Sequence, residues 1–368
     1  MNASDRAHMR ATLLLARRGL GRTAPNPAVG CILVHEGRVV GRGWTQPGGR
    51  PHAETEALRR AGDAARGATA FVSLEPCSHQ GVTGPCADAL VAAGIRRCVI
   101  ACEDPDPRVS GRGIARLRAA GVQVEIGLLR EEAKALNSGF ILHRLEARPS
   151  VTLKLATTLD GKIALATGES RWITGPEARE RAHLVRAEHD AILVGSGTAI
   201  ADDPRLDVRL PGLAARRPLR VVLDPSLRLP PSLDFIVRAK EHPTLIITRK
   251  GHAQDRLQAL EAPGVEIAAI ADCDSQGRPQ PTAVLQELAC RGITRLMIEG
   301  GAGIAASFLA SGSIDQLLWF RAGKVIGGDG RPSVEALGLT ALSSAPAFEL
   351  QQVERLGGDL LETWGRKG

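Results

Sequence analysis

The sequence predicts two α/β domains in series, divided near residue 148. Three observations predict it. The 368 residues are too many for one ordinary core and suit two. Short apolar runs alternate with helical patterns on both sides of the division, as in sheets covered by helices. Between them, Glu146-Ala147-Arg148-Pro149 interrupts the alternation with charge and a proline. The expected domains are residues 1–147 and 148–368.

Residues 4–18 read as a first helix, with Met9, Leu13 and Leu14 near helical spacing and Ser4 or Asp5 as its cap. Residues 31–34 and 39–40 flank His35-Glu36-Gly37-Arg38 as a hairpin. A helix is expected over 52–60, a strand over 70–74, and a helix opened by Cys86 and closed by Gly94. Strands at 97–102 and 122–126 bracket a helix around 114–120. Past the division, apolar strands fall at 151–155, 191–194, 219–223, 244–248 and 296–299. A helix over 176–188 begins with Pro176, a residue suited to a first turn. An apolar strand at 313–320 and a turn at Gly327-Gly328 end the second domain. The stretch 272–281 is the most polar internal loop and is expected to be exposed.

Composition excludes several classes. A net charge of +7 without a Lys/Arg tract favours small anionic substrates over nucleic acid. Aromatic content of 3%, with no tyrosine, argues against a base-stacking platform. Seven cysteines are too few, and odd in number, for a disulfide framework. Cys31, Cys98, Cys102, Cys273 and Cys290 read as buried small hydrophobes in a reducing compartment. The first 18 residues lack the features of a signal peptide, and no run approaches a membrane span. A soluble, cytoplasmic protein is expected.

The strongest chemical signal is His52-Ala53-Glu54 followed by Pro76-Cys77 and, after eight intervening residues, Cys86. One imidazole and two thiolates can hold a catalytic zinc and leave a fourth position for water. Helix N-termini lower thiol pKa values and suit such ligands. Glu54 is placed to move the water's proton rather than to bind the metal. This is the H-x-E…P-C-x-x-C pattern of zinc-dependent nucleobase deaminases with a longer gap between the cysteines. Two other readings stand beside it: a pair of core cysteines, and a structural zinc with His79 as fourth ligand.

With those residues, Pro25-Asn26-Pro27-Ala28-Val29-Gly30, Ser78-His79, Thr83-Gly84-Pro85 and the run 104–113 resemble the deaminase half of the bifunctional riboflavin-biosynthesis enzymes of the RibD type. The resemblance implies a cytidine-deaminase-like zinc domain with helices on both sides of a sheet. It also implies that Asn26 bonds the pyrimidine and that His79, with Arg108, lies on the phosphate side. Family members usually carry Lys or Arg where this chain has Val82, and commonly Asn where it has Asp106. Both departures bear on phosphate binding, while every zinc ligand position is kept.

In the second domain, the apolar run 296–299 leads into Gly300-Gly301-Ala302-Gly303 and an apparent helix. Such a turn lets backbone N–H groups approach a pyrophosphate, although it sits late for a Rossmann motif. Residues 151–164, 168–176, 194–206 and this glycine run resemble the reductase half of the same enzymes, which implies a dihydrofolate-reductase-like α/β domain using NADPH. By that resemblance, Ala156, Trp172, Thr198, Asp202 and a loop of Gly301, Ala302, Gly303, Ile304, Ala305, Ala306 and Ser307 contact the cofactor. Lys154, Ser170, Arg186, Leu206, Arg209 and Glu299 contact the substrate. At position 225, where many relatives have Ser or Thr near the cofactor, this chain has Pro225 and then Ser226.

The expected protein is therefore a zinc- and NADPH-dependent deaminase and reductase of phosphorylated aminopyrimidines, forming a homo-oligomer, with no nucleic acid or membrane partner. The rival readings are a tRNA or nucleobase deaminase with an accessory domain, a non-catalytic zinc-stabilised regulator, and an enzyme with one half inactive.

Overall fold

The computed structural model describes residues 2–80, 84–107, 109–261 and 263–367. The chain divides into two compact units, Met1–Arg148 and Pro149–Gly368.

The first unit runs α1 (Ala3–Arg17), β1 (Gly30–His35), β2 (Arg38–Trp44), α2 (Ala53–Ala61), β3 (Thr69–Val72), α3 (Cys86–Ala92), β4 (Arg97–Ile100), α4 (Arg112–Ala119), β5 (Gln123–Ile126), α5 (Arg130–Leu136) and α6 (Ser138–Glu146). Its sheet has the order β2-β1-β3-β4-β5. β1 is antiparallel to β2 and β3, whereas β3, β4 and β5 are parallel. Fully buried strands read as near-continuous apolar runs, and Cys31, Leu33, Val72, Val99 and Ile100 have no exposure at all. Glu36 and Gly37 take left-handed conformations in the expected β1–β2 hairpin.

The first helix is capped by Asn2, not by Ser4 or Asp5. The Asn2 side chain accepts from the Asp5 N–H at 2.9 Å, and the Asp5 carboxylate accepts from the Asn2 N–H at 2.9 Å. This reciprocal capping box places Asp5 in the third helical position. From there its carboxylate also takes two bonds from Arg97 on β4, at 2.9 and 3.0 Å.

α2 lies against β2 with almost no side-chain layer between them. A Cβ at Gly43 would stand 2.0 Å from the Ala53 carbonyl oxygen, so only glycine allows this approach. Ala53 and Ala57 are fully buried on the facing side of the helix.

The second unit runs β6 (Ser150–Thr157), β7 (Lys162–Ala164), α7 (Pro176–Ala187), β8 (Ala191–Gly195), α8 (Ser196–Asp202), β9 (Leu219–Leu223), α9 (Asp234–Val237), β10 (Thr244–Arg249), α10 (Gln254–Glu261), β11 (Glu266–Ile270), α11 (Pro281–Cys290), β12 (Arg295–Gly300), α12 (Ala302–Ala310), β13 (Gln316–Arg321), β14 (Arg331–Pro332), β15 (Phe348–Leu356) and β16 (Asp359–Arg366). Nine strands form one sheet in the order β11-β10-β9-β8-β12-β6-β13-β16-β15. It is parallel from β11 to β13, and β16 and β15 join antiparallel. The short strands β7 and β14 pair separately. Apolar clusters cover both faces, one built on Val151, Leu193 and Ile298, another on Ile192, Val222 and Phe235. His189 is buried against β6, contacting the Val185 carbonyl at 2.7 Å and the Thr152 hydroxyl at 3.0 Å.

Two further expectations are corrected. The unit does not end at Gly327-Gly328, because the β15–β16 hairpin follows. Nor are all five spare cysteines buried: Cys31, Cys98 and Cys102 are, Cys273 is half-buried and Cys290 is exposed. Cys290 ends α11, whose core face is taken by Val284, Leu285, Leu288 and Ala289. No described helix is long and apolar enough to cross a membrane.

Candidate active sites

In the first unit, two connections, β2–α2 and β3–α3, converge beyond the carboxyl end of β3. His52 is the N-cap of α2, Cys86 is the first residue of α3, and Cys77 lies between β3 and α3. Their ligand atoms all lie within 4.8 Å of one another, the one such group among the described residues. His52 Nδ1 is 3.2 Å from Cys86 Sγ and 3.6 Å from Cys77 Sγ. A tetrahedral zinc with Zn–S of about 2.3 Å and Zn–N of about 2.1 Å needs N···S edges of roughly 3.5 Å. The donor set therefore fits zinc in type and spacing. His79 is not part of this group, so the four-ligand structural reading loses its fourth ligand.

The electrostatics agree. The Cys77 thiol is held down at about 4, first by the hydrogen bond from Cys86 and then by His52. The same bond, with burial, pushes Cys86 far up, and the bond to Cys77 raises His52. The thiol of Cys86 and the thiolate of Cys77 thus share a proton that a metal ion would displace. Glu54, in the first turn of α2, is 3% exposed, and its carboxyl is pushed up to about 7 by burial and by Cys77.

A cavity of about 100 Å³ opens beside these groups. Of the residues singled out in the sequence, Asn26, His52, Glu54, Cys77, His79 and Asp106 line it, and Arg50, Glu75, Asp104 and Arg144 add further charged walls. Asp104 is pushed up to about 6, chiefly by burial. Val82 and Arg108 lie outside the described residues.

In the second unit, a cleft of about 790 Å³ runs past the carboxyl ends of β8, β9 and β12, the usual binding edge of a parallel sheet. Thr198, Asp202, Gly301, Ala302, Gly303, Ile304 and Ser307 line it. Gly301 caps α12 and the residues after it are helical, so the expected loop is a helix start. Ala305 and Ala306 are buried at 2% and 7% exposure and are not brought to the cleft. Ser170 lines this cleft together with the expected cofactor residues. Trp172 instead borders a shallow depression with Arg179 and Lys324, and the Lys324 ammonium donates to its carbonyl at 2.7 Å. Ala156 lines neither. Pro225, Ser226, Arg228, Gln276 and Arg278 also line the cleft.

Two of the other expected substrate residues, Arg186 and Lys154, lie beside Glu299. Arg186 on α7 grips its carboxylate with two bonds, one of 2.7 Å, and donates to the Asp207 carbonyl at 3.0 Å. Lys154 on β6 is close enough to feel both charges; burial lowers its pKa and Glu299 resists the shift. Arg209 pairs with the Asp207 carboxylate at 3.2 Å. The Leu206 side chain is in the core at 3% exposure, so it can offer a ligand only its backbone, which is left-handed at φ 48°.

Residues 149–361 match the RibD C-terminal domain family, and residues 2–102 match the cytidine and deoxycytidylate deaminase zinc-binding region. The riboflavin biosynthesis protein RibD of Aquifex aeolicus is 41% identical over 97% of both chains. That of Escherichia coli is 39% identical over 97% of this chain and 98% of its own. The chain belongs to the RibD family. Solved RibD structures agree in fold: that of Acinetobacter baumannii (form 1) has a TM-score of 0.87 at 37% identity, covering 99% of each chain. The Thermotoga maritima diaminohydroxyphosphoribosylaminopyrimidine deaminase/5-amino-6-(5-phosphoribosylamino)uracil reductase gives 0.86 at 34% identity, again with 99% coverage of each. Like other RibD proteins, this is a bifunctional enzyme of riboflavin biosynthesis, with a cytidine-deaminase-like zinc-binding domain and a reductase domain.

Proposed function

We propose that the first unit deaminates 2,5-diamino-6-ribosylamino-4(3H)-pyrimidinone 5′-phosphate, and that the second reduces the resulting 5-amino-6-(5-phosphoribosylamino)uracil to its ribityl form with NADPH. The observation that carries this reading is the convergence of His52, Cys77 and Cys86 beside the buried Glu54 carboxylate.

His52, Cys77 and Cys86 would hold the metal through one nitrogen and two sulfurs. When bound, zinc supplies a Lewis acid and brings the pKa of a water down to about 7. Glu54, with its own carboxyl near that value, is matched to take a proton from water and return it to the departing amine. Asn26 would orient the pyrimidine ring and His79 would face the phosphate side.

In the second unit, the Gly301 turn and the start of α12 suit a pyrophosphate, with Thr198, Asp202 and Ser170 along the same cleft. NADPH supplies the hydride, and the protein's part is to position the acceptor and exclude water. Because Arg186 is committed to Glu299, the half-exposed Arg209 is the freer guanidinium for a phosphate. Lys154 and Glu299 would order the sugar chain, and Leu206 would contribute its backbone. The same reading expects a cytoplasmic homo-oligomer, supported by free cysteines and by exposed Leu350 and Val353 on the outer strand β15.

Mass spectrometry of the pyrimidine product tests both halves together, using zinc-loaded enzyme with NADPH supplied or withheld. The reaction should stop at the deaminated ribosylamino compound without NADPH and reach the ribityl compound with it. An untouched substrate in both mixtures would refute the proposed substrate.

A further inference from the structure

Glu75 has no place among the ligands or substrate contacts above. It precedes Cys77 by two residues and is 4% exposed, yet no cation pairs with it among the described residues. Four backbone N–H groups converge on its carboxylate instead. Oε1 accepts from Gly113 at 2.9 Å and Ile114 at 3.2 Å, and Oε2 accepts from Gly111 at 3.0 Å and Asp104 at 3.3 Å.

Three of these donors open α4. Its N-cap, Gly111, has no side chain to satisfy them, so a carboxylate from another segment does so. The contact is tight as well as polar: a Cβ at Gly113 would lie 2.0 Å from the Pro76 carbonyl oxygen. The fourth donor, Asp104, stands at the far end of the same loop. Glu75 therefore grips both ends of the segment that carries Asp104, Asp106 and Val109, all of which line the zinc cleft.

We propose that Glu75 is a positioning residue for deamination, a brace that sets the Asp104–Val109 wall at a fixed distance from the metal-binding loop. The proposal rests on reading His52, Cys77, Cys86 and Glu54 as the deamination centre. A carboxylate is required because all four partners are donors and only an acceptor-only group meets them all; the amide of glutamine turns two N–H bonds toward donors.

The test is Glu75→Gln in the full-length, zinc-loaded enzyme. The KM for the aminopyrimidine phosphate should rise about tenfold or more, the size of lost hydrogen bonds to a charged group, while kcat and zinc content stay near those of the unaltered enzyme. An unchanged KM, whatever happens to the melting temperature, reduces Glu75 to a structural role and overturns the proposal. Parallel loss of zinc overturns it too, since Glu75 would then serve the metal loop. Hydrogen exchange on the unaltered enzyme is a second test that does not depend on the variant folding. The amides of Gly111, Gly113 and Ile114 should exchange slowly and together, and exchange at open-loop rates rules out the brace. Deamination by the unaltered enzyme, run in parallel, checks the parent reading separately.

Discussion

Arg186 and Glu299 form a two-pronged ion pair between α7 and β12, with their side chains only 15% and 6% exposed. Burial pushes the Glu299 carboxyl up, but the Arg186 guanidinium outweighs it and holds the group below the usual range. Both charges therefore persist inside the second unit, each depending on the other.

Breaking that pair on one side strands a buried charge. Arg186→Met should cost about 3–5 kcal/mol in urea unfolding of the second unit. The double replacement Arg186→Met with Glu299→Leu should recover most of that loss and still show no reduction. Equal instability of the single and double variants would mean that packing, and not charge pairing, is what Arg186 supplies.

Glu54→Gln separates proton transfer from metal binding. Deamination should fall by roughly 10²–10⁴, with zinc retained and reduction of added deaminated intermediate intact. Cys77→Ser should instead lower zinc content, measured by atomic absorption. A Glu54→Gln enzyme that deaminates normally would contradict the assigned role.

Asp5 makes the first unit acid-sensitive. Hydrogen bonds from Arg97, opposed by burial, hold its carboxyl at about 2 against an ordinary 3.8. A depressed acid stabilises the fold fully above its ordinary pKa and loses that contribution as pH falls through about 2. Asp5→Asn should cost about 2 kcal/mol at neutral pH, and the gap from the unaltered protein should close between pH 4 and 2. A gap independent of pH would assign the effect to helix capping alone.

His189 acts in a higher window. Burial, then Arg295, lowers it from 6.5 to about 4, so the fold keeps the ring neutral while the unfolded chain protonates. Its contribution is complete above pH 6.5 and is lost as pH falls through about 4, up to about 3 kcal/mol. Melting curves of His189→Gln between pH 7 and 4 should be flatter than those of the unaltered enzyme.

Gly43→Ala should push α2 away from β2, because the new methyl would meet the Ala53 carbonyl. A loss of about 1–3 kcal/mol is expected, together with weaker zinc binding, since His52 begins that helix. Thermal melts and zinc titration read the two effects independently.

The candidate metal centre was legible in the sequence because His52, Glu54, Cys77 and Cys86 sit in two short segments whose spacing the chemistry dictates. Glu75 could not be found that way, because its four partners are backbone amides 29 to 39 residues away and leave no side-chain signal. The β15–β16 hairpin escaped notice for a different reason. β15 is exposed along most of both faces, so it lacks the alternation that marks a half-buried strand. The polar stretch at 272–281 was expected to be exposed, and Gln276 and Arg278 are, yet both border the cleft. Polarity reports solvent contact but not which opening a loop overlooks.

The direct seating of α2 on β2 also bears on redesign. With Gly43 against the Ala53 carbonyl and Gly41 in the same position toward Ala57, no compressible layer exists there to absorb a repacked neighbour. Libraries aimed at accepting a different amino-heterocycle should therefore leave that seam untouched, keep Glu75 and the backbone it holds, and vary only the side chains of Asp106, Val109 and Arg144, which line the pocket away from α2 and β2.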